Sequence, residues 1–213
     1  MEGDIFVANN KTNVEKALKA LKDRNIDAEY VDTADQAREK VSTMVANNST
    51  VGIGGSITVQ ELDLESLLLN KDCIVFWHWH GANQEEQDAI RRKAMNADFY
   101  ICSSNALTLD GKLVNIDGTG NRIGAMVFGP RRAIIIVGIN KLTENLHTAI
   151  ERIKTKACPP NARRLKRNTP CAETDQCPDC SSPHRMCNVT TIIEGKPGSI
   201  DMNVLIVGEE LGY

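Results

Sequence analysis

An unbroken run of aliphatic β-branched residues constrains the fold more than any other feature of the chain. Ile134, Ile135, Ile136 and Val137 follow one another inside a predicted strand over residues 133–139. β-Branched side chains favour strands, and such a run is typical of a central strand that is buried on both faces. The run therefore predicts a sheet that is covered on both sides.

Strands of this kind alternate with segments in which apolar residues recur at helical spacing. One helix is predicted to begin at Thr12 or Asn13 and another to lie around residues 62–68; further helices are predicted over 34–46, 84–95, 122–128 and 142–154. Strands are predicted over 26–31, 50–53, 73–79, 98–102, 113–116 and 202–207. The alternation predicts an α/β fold with a mainly parallel sheet covered by helices. Ligands of such sheets bind beyond the carboxyl ends of the strands, so we expect a site among loops 54–58, 78–83, 103–111 and 117–122.

Two Gly-rich turns are predicted at this edge. The first ends in Gly54, Gly55 and Ser56; the second holds Gly118, Thr119, Gly120 and Asn121. Backbone N–H groups at a turn that opens a helix bind carboxylate or phosphate, so these seven residues are predicted to bind a ligand. The alternative for the first turn is a tight strand–helix connection without a ligand.

Charged residues flank the second turn and supply the predicted catalytic pair. Asp117 could accept a hydrogen bond from a ligand hydroxyl or act as a base, and Arg122 could fork onto a carboxylate or phosphate. The alternative is that Asp117 only caps the following helix. Lys141, at the end of the central strand, is a further predicted ligand-binding charge, and the alternative is that it only caps a helix.

The segment from residue 158 to about residue 198 has a different character. It holds six of the seven prolines and no aromatic residue, so little apolar surface is available to order it. The spacing of Cys171, Cys177, Cys180 and Cys187 predicts a four-thiolate site for zinc or an iron–sulfur cluster. Cys158 is a possible fifth thiol, and His184 could replace one sulfur. The alternative is a loop of free thiols.

Two other patterns have mainly structural interpretations. His78 and His80 are two residues apart in a predicted strand, so their side chains are predicted on the same face. They could be metal ligands or proton carriers, although packing is the commoner role of such a pair. A basic run extends from Arg152 to Arg167 and is interpreted mainly as a solvated surface.

Composition and charge narrow the class of protein. Hydrophobic residues make up 41% of 213 residues, so a sizeable core is expected. The net charge is −3, whereas a general nucleic-acid binder is basic, so nucleic acid is not an expected partner.

No apolar run approaches roughly 18 residues, so no membrane partner is expected. Residues 1–10 lack a basic region and are not a signal peptide, which predicts a cytoplasmic location.

The domain boundaries follow from these changes in character. Residues 1–157 are predicted to form the α/β domain, and residues 158–198 the Cys/Pro-rich metal-binding segment. Residues 199–213 are predicted to return a C-terminal strand to the main domain.

A resemblance to a known family is carried by Gly54–Ser56, Ser104–Thr108, Asp110–Arg122 and Gly138–Lys141. These stretches resemble the LUD-domain family, the lactate utilization proteins. The pattern from Thr169 to Cys187, with residues 207–213, resembles a cysteine-bearing branch that occurs as a standalone chain. The resemblance implies a fold similar to ribose-5-phosphate isomerase, CoA transferases and 5-formyltetrahydrofolate cyclo-ligase, whose members hold anionic ligands at comparable turns.

The same resemblance implies a function in organic-acid metabolism, because family members are associated with oxidation of L-lactate to pyruvate beside iron–sulfur partner subunits. We therefore expect a small anionic carboxylate or phosphate metabolite as ligand, and iron–sulfur or redox proteins as further partners. The alternatives are a non-catalytic electron-transfer or regulatory subunit and a structural zinc protein.

Overall fold

A computed structural model describes residues 11–213, and residues 1–10, where the absence of a signal peptide is predicted, lie outside the described residues. The helices are α1 (Lys11–Asp23), α2 (Ala34–Met44), α3 (Ile57–Glu61), α4 (Leu64–Leu69), α5 (Gln84–Met95), α6 (Asn121–Val127), α7 (Leu146–Arg152), α8 (Cys158–Arg164) and α9 (Pro170–Thr174). The strands are β1 (Asp27–Val31), β2 (Thr50–Ile53), β3 (Ile74–Trp77), β4 (Phe99–Cys102), β5 (Ala106–Thr108), β6 (Leu113–Asp117), β7 (Arg132–Gly138), β8 (Leu142–Thr143), β9 (Val189–Ile193) and β10 (Asp201–Val207).

Six strands form a parallel sheet in the order β1-β10-β7-β4-β2-β3. The predicted α/β fold with a mainly parallel, helix-covered sheet is confirmed. β7 is central, between β10 and β4, as its apolar run predicts. β10 lies between β1 and β7, so the strand predicted near the C-terminus completes the middle of the sheet rather than its edge.

The two faces of β7 enter two different parts of the core. Ile135 and Val137 pack in the cluster that includes α1 and α6, whereas Ile134 and Ile136 pack in the cluster that includes α2, α3 and α4. All four side chains are fully buried. This alternation is the reason that every position of the run is apolar.

Side-chain hydrogen bonds cap the N-termini of several helices. The Thr33 hydroxyl accepts a hydrogen bond from the Gln36 amide at 3.3 Å and caps α2. The Asn83 side chain caps α5 in the same way, with 2.9 Å to the Glu86 amide. α5 also carries acidic residues in its first turn and basic residues in its last turn, which complements the helix dipole.

A second, smaller sheet continues from the first. Its order is β8-β5-β6-β9, with β5 parallel to β8 and antiparallel to β6, and β6 antiparallel to β9. β4 leads into β5, and β7 leads into β8, so this sheet extends from the carboxyl ends of two central strands. The loop predicted over 103–111 therefore contains a strand. The helix predicted over 142–154 begins only at Leu146, after β8, and α7 continues through a π-helical turn (Ile153–Ala157) into α8.

The Cys/Pro-rich segment has more regular structure than its sequence indicates. It contains α8, α9 and β9, where no helical or strand period was recognised. Proline lies in the first turn of both helices rather than breaking them, since its fixed φ and missing N–H suit that position. The division into three units stays a prediction. Over residues 11–213, no helix has the length and apolar character needed to cross a membrane.

Candidate functional site

A cavity of about 410 Å³ opens where strands of the main sheet end. Side chains that follow β2, β3, β4 and β7 line it, including Ser56, His78, Ser103 and Lys141. The second Gly-rich turn forms another part of the wall through Asp117, Gly118, Thr119, Asn121 and Arg122. The two predicted turns therefore share one cavity, although Gly54 and Gly120 are not among its lining residues.

The prediction that both Gly-rich turns lie at the carboxyl edge of the parallel sheet is wrong for the second turn. The second turn follows β6, which belongs to the smaller sheet and not to the parallel one. It reaches the cavity because the smaller sheet extends from the ends of β4 and β7. Gly120 begins α6 with φ of +85°, a backbone conformation that glycine adopts without strain.

The first turn joins β2 to α3. The Gly54 amide donates to the Ile101 carbonyl at 3.0 Å, so Gly54 closes the turn against β4. The Ser56 hydroxyl accepts from the Val59 amide at 3.3 Å and caps α3. Gly55 faces the cavity, where an added Cβ would come within 3.2 Å of the His78 ring.

Asp117 and Arg122 form a buried ion pair at the second turn. The Arg122 Nε donates to Asp117 Oδ1 at 3.0 Å, and its Nη2 also contacts that oxygen. Asp117 Oδ2 accepts from the Ile123 amide at 3.2 Å, so Asp117 also caps α6, as the structural alternative held. Burial acts to lower the pKa of Arg122, but the neighbouring Asp117 carboxylate outweighs it and the pKa is raised.

Most of the donors of Arg122 are engaged within the protein, and its predicted fork onto a ligand stays a prediction. Nη1 donates to the Ser103 carbonyl at 3.0 Å, and Nη2 donates to Asn105 Oδ1 at 2.7 Å. With the bonds to Asp117, four of its five N–H groups are engaged within the described residues. Arg122 can offer a ligand one N–H at most, and it serves mainly to join the second turn to loop 103–105.

Lys141 lies in the cavity wall and is only 3% exposed. Its Nζ donates to the Thr58 hydroxyl at 2.8 Å and to the Ser103 hydroxyl at 2.9 Å. Burial, together with the nearby Arg152 and Arg122 charges, lowers the pKa of Lys141 to about 7. A substantial fraction of this side chain is therefore a neutral amine near neutral pH.

Gly212 lines the cavity beside Lys141, and the neighbouring Leu211 packs behind it. The Leu211 amide donates to Asn140 Oδ1 at 3.2 Å, and the Gly212 amide donates to Glu61 Oε2 at 2.6 Å. Gly212 has φ of +59°, and an added Cβ would lie 2.7 Å from the Thr58 hydroxyl oxygen and 3.2 Å from Lys141 Nζ. Only glycine fits there without displacing the hydrogen bonds of Lys141.

Arg152 does not belong to a solvated surface, contrary to the prediction for the basic run. It is 2% exposed, and its guanidinium donates to the carbonyls of Asn140 and Asn105 at 2.8 Å each. Burial lowers the pKa of Arg152 to about 10. It holds together the loops that carry Lys141 and contact Arg122.

The two histidines lie in different places, because residues 78–80 form a 3-10 turn rather than a continuation of β3. His78 lines the cavity, and burial together with Arg91 and Arg164 lowers its pKa to about 4, so its imidazole is neutral at neutral pH. His80 Nε2 lies 3.0 Å from Glu65 Oε1, beside a separate pocket. The shared strand face predicted for the pair is wrong.

The Cys/Pro-rich segment covers one side of the cavity. It supplies Cys158, Arg164 and Arg167 to the lining. The Arg164 guanidinium lies 5.0 Å from the ring centre of Trp79, which is itself stacked on Trp77. This cation–π contact links the segment to the 3-10 turn. Thr58 and Ser103 lie in loops where the site is predicted, but no local pattern distinguishes them from their neighbours. Arg164 lies outside those loops, so its place in the cavity is not predicted.

The predicted four-cysteine site is not assembled here. Across residues 11–213, no group of three or more His, Cys, Asp or Glu side chains is arranged to hold a metal ion. Cys187 instead lies with its Sγ 3.4 Å from the Sγ of Cys158. The Cys171 Sγ lies 3.4 Å from the Thr169 hydroxyl oxygen.

Comparisons with known proteins agree with this fold. A family model described as the LUD domain matches residues 14–207. A crystal structure of a DUF162 family protein from Deinococcus radiodurans is similar over 94% of this chain and 99% of its own, with a TM-score of 0.57 and 11% identity. eIF2B delta from Chaetomium thermophilum overlaps only partly, with a TM-score of 0.37, 10% identity, and coverage of 65% of this chain and 54% of its own. No curated protein sequence matches this chain significantly.

The Asp117–Arg122 pair generates a stability prediction. Asp117→Asn leaves the buried Arg122 charge without its counter-ion, so we expect the free energy of unfolding to fall by about 3 kcal/mol. Urea denaturation measures this change. Asp23→Asn is the control, because Asp23 pairs with Lys19 at 62% side-chain exposure and should matter little. Equal losses in the two variants would contradict the role of the buried pair.

Lys141 generates a pH prediction. Between its folded pKa of about 7 and the ordinary value of 10.5, the unfolded chain keeps a proton that the folded chain has released. Raising the pH through this window therefore favours the folded state, by about 1.4 kcal/mol per pH unit for one proton. The free energy of unfolding of Lys141→Met should therefore rise less steeply with pH than that of the parent protein. The two slopes should differ by about 1.4 kcal/mol per pH unit. Parallel pH curves would show that the pKa of Lys141 is not lowered.

Proposed function

Because the chain belongs to the LUD-domain family, we propose that it acts in organic-acid, lactate-like metabolism by binding a small carboxylate or phosphate ligand in this cavity. The observation that carries the proposal is the charge of the cavity wall. Its basic side chains are Arg91, Arg122, Lys141, Arg164 and Arg167, and among the described lining residues Asp117 is the acidic one. Part of this positive charge is uncompensated, which favours an anion.

The cavity wall offers two kinds of anion contact. The backbone at Gly55, Ser56, Gly118, Thr119 and Asn121 lies along it, and N–H groups at turns suit carboxylate or phosphate oxygens. Arg164 and Arg167 approach from the other side, and neither makes an ion pair within residues 11–213. An anion between these walls would gain from both without displacing the Asp117–Arg122 pair.

Catalysis would place Asp117 and Lys141 in different roles. Asp117 is committed to Arg122 and to the cap of α6, so a role as base requires a ligand that displaces one of these contacts. Lys141, by contrast, makes no ion pair with a carboxylate of residues 11–213 that a ligand would have to displace. If the ligand is bound but not transformed, the protein fits the second candidate, a regulatory or electron-transfer subunit whose partner performs the chemistry.

Binding should depend on the charge of Arg167. We expect isothermal titration with L-lactate, pyruvate or inorganic phosphate to detect binding that weakens about fivefold in Arg167→Gln. Lys166→Gln removes the same charge from the neighbouring residue, which does not line the cavity, and should leave binding unchanged. Absence of binding by all three anions, or equal weakening by the two variants, would contradict the proposed site.

A metal remains a second part of the proposal. The spacing of Cys171, Cys177, Cys180 and Cys187 supports it, as does the proximity of thiols around Cys158. The pKa of Cys158 is raised by its hydrogen bond with Cys187 and by burial, with smaller contributions from Cys177 and Cys171. The described arrangement does not itself fit a metal, so no step of the proposed binding depends on one.

Metal analysis tests this part separately. We expect protein purified without air to contain zinc or iron, and Cys177→Ser to lose it. A brown colour would identify an iron–sulfur cluster, and a colourless zinc protein would identify a structural site. Cys73→Ala is the control, because Cys73 is buried beside β3, away from the Cys/Pro-rich segment. Protein without either metal would leave the cysteines as free thiols.

A further inference from the structure

The hydrogen bonds around Lys141 leave one position on its nitrogen free. The Thr58 hydroxyl, which accepts from Lys141, donates its own hydrogen to the Leu211 carbonyl at 3.2 Å. The Ser103 hydroxyl likewise accepts from Lys141 and donates to the Ser104 carbonyl at 3.2 Å. Each hydroxyl has one hydrogen, so both act as acceptors toward Lys141. In the neutral amine, the two N–H groups are then occupied and the lone pair is left over.

The charged surroundings favour that neutral amine. Arg152 on α7 and Arg122 on α6 oppose a positive charge on Lys141, whereas Glu61 on α3 and the Cys102 thiol on β4 favour it. Glu61 is engaged by the Gly212 amide, and no carboxylate lies within ion-pair distance of Lys141 in the described part of the chain. A buried lysine beside other cations is a common way to obtain a nucleophilic amine at neutral pH.

We propose that Lys141 is a nucleophile that condenses with the carbonyl group of a small oxo acid bound in this cavity. An amine condenses with a ketone or an aldehyde, so the ligand must carry a carbonyl group. The positive charge of the cavity wall favours a ligand that also carries an acid group. The inference rests on the proposed function, because the oxo acid must first be held as an anion. It names both the substrate class and the reacting residue.

The step balances without a further reactant. The Nζ lone pair attacks the carbonyl carbon, the C=O π electrons move to oxygen, and a proton passes from nitrogen to that oxygen to give a carbinolamine. The remaining N–H proton and the hydroxyl group then leave as water, and a C=N bond forms. Ser103, whose hydroxyl oxygen lies 2.9 Å from Nζ, is placed to hold the nitrogen during the attack.

Reductive trapping tests the proposal on the full-length protein. The protein is incubated with pyruvate or glyoxylate near pH 7.5 and treated with borohydride, which converts an imine to a stable secondary amine. Peptide mapping by mass spectrometry then locates the adduct. We expect Lys141 to be labelled roughly tenfold or more faster than the surface lysines, because its neutral amine is the nucleophilic form.

Two variants complete the test. Lys141→Met should lose the dominant adduct, and Lys166→Met, at an exposed lysine, should keep it. The map of the parent protein is informative even if Lys141→Met folds poorly. Labelling spread over surface lysines without preference for Lys141 would overturn the inference.

Binding measurements separate this failure from failure of the proposed function. L-lactate and inorganic phosphate have no ketone or aldehyde, so their binding by titration reports the anion site alone. Binding of these anions without a Lys141 adduct would overturn the nucleophile and leave the proposed function standing. Absence of both binding and adduct would overturn the two together.

Discussion

Three buried basic side chains at the carboxyl end of the sheet impose the main constraint on this structure. Lys141 and Arg152 are 3% and 2% exposed, and the Arg122 side chain is 12% exposed. A buried charge is costly unless it is paired or hydrogen-bonded. The protein meets this cost in three ways: Arg122 pairs with Asp117, Arg152 donates to two carbonyls, and Lys141 donates to two hydroxyls with a lowered pKa.

The hydrogen bonds of these three side chains depend on one another because they use the same loops. Loop 103–105 contributes the Ser103 carbonyl and Asn105 side chain to Arg122, the Asn105 carbonyl to Arg152, and the Ser103 hydroxyl to Lys141. That loop joins the end of β4 to β5, where the large sheet passes into the small one. The small sheet thus brings the second Gly-rich turn to a cavity that the parallel sheet alone would leave open on one side.

The Cys/Pro-rich segment takes part in the same arrangement. β9 pairs with β6 along five residues, from Ile193 opposite Leu113 to Val189 opposite Asp117. α8 places Arg164 over Trp79 and Cys158 at the cavity. Backbone pairing and a cation–π contact therefore help to order parts of a segment that has little apolar surface.

The amino-acid sequence by itself determined the fold class and the edge of the sheet at which the cavity lies. The Ile134–Val137 run requires two covered faces, and the strand–helix alternation requires parallel strands whose ligands bind at their carboxyl ends. It also indicated both Gly-rich turns and Lys141. Such features are local, because periodicity and turn residues act over a few positions.

Only the tertiary structure decided how the charges are used. Arg122 was expected to bind a ligand, but Asp117, Ser103 and Asn105 occupy most of its donors; Arg152 was expected at the surface, but the carbonyls of Asn105 and Asn140 hold it inside. Thr58 and Ser103 meet Lys141 from positions 83 and 38 residues away. Hydrogen-bond partners and burial at such separations depend on the packing of the whole chain, and no pattern in neighbouring residues encodes them.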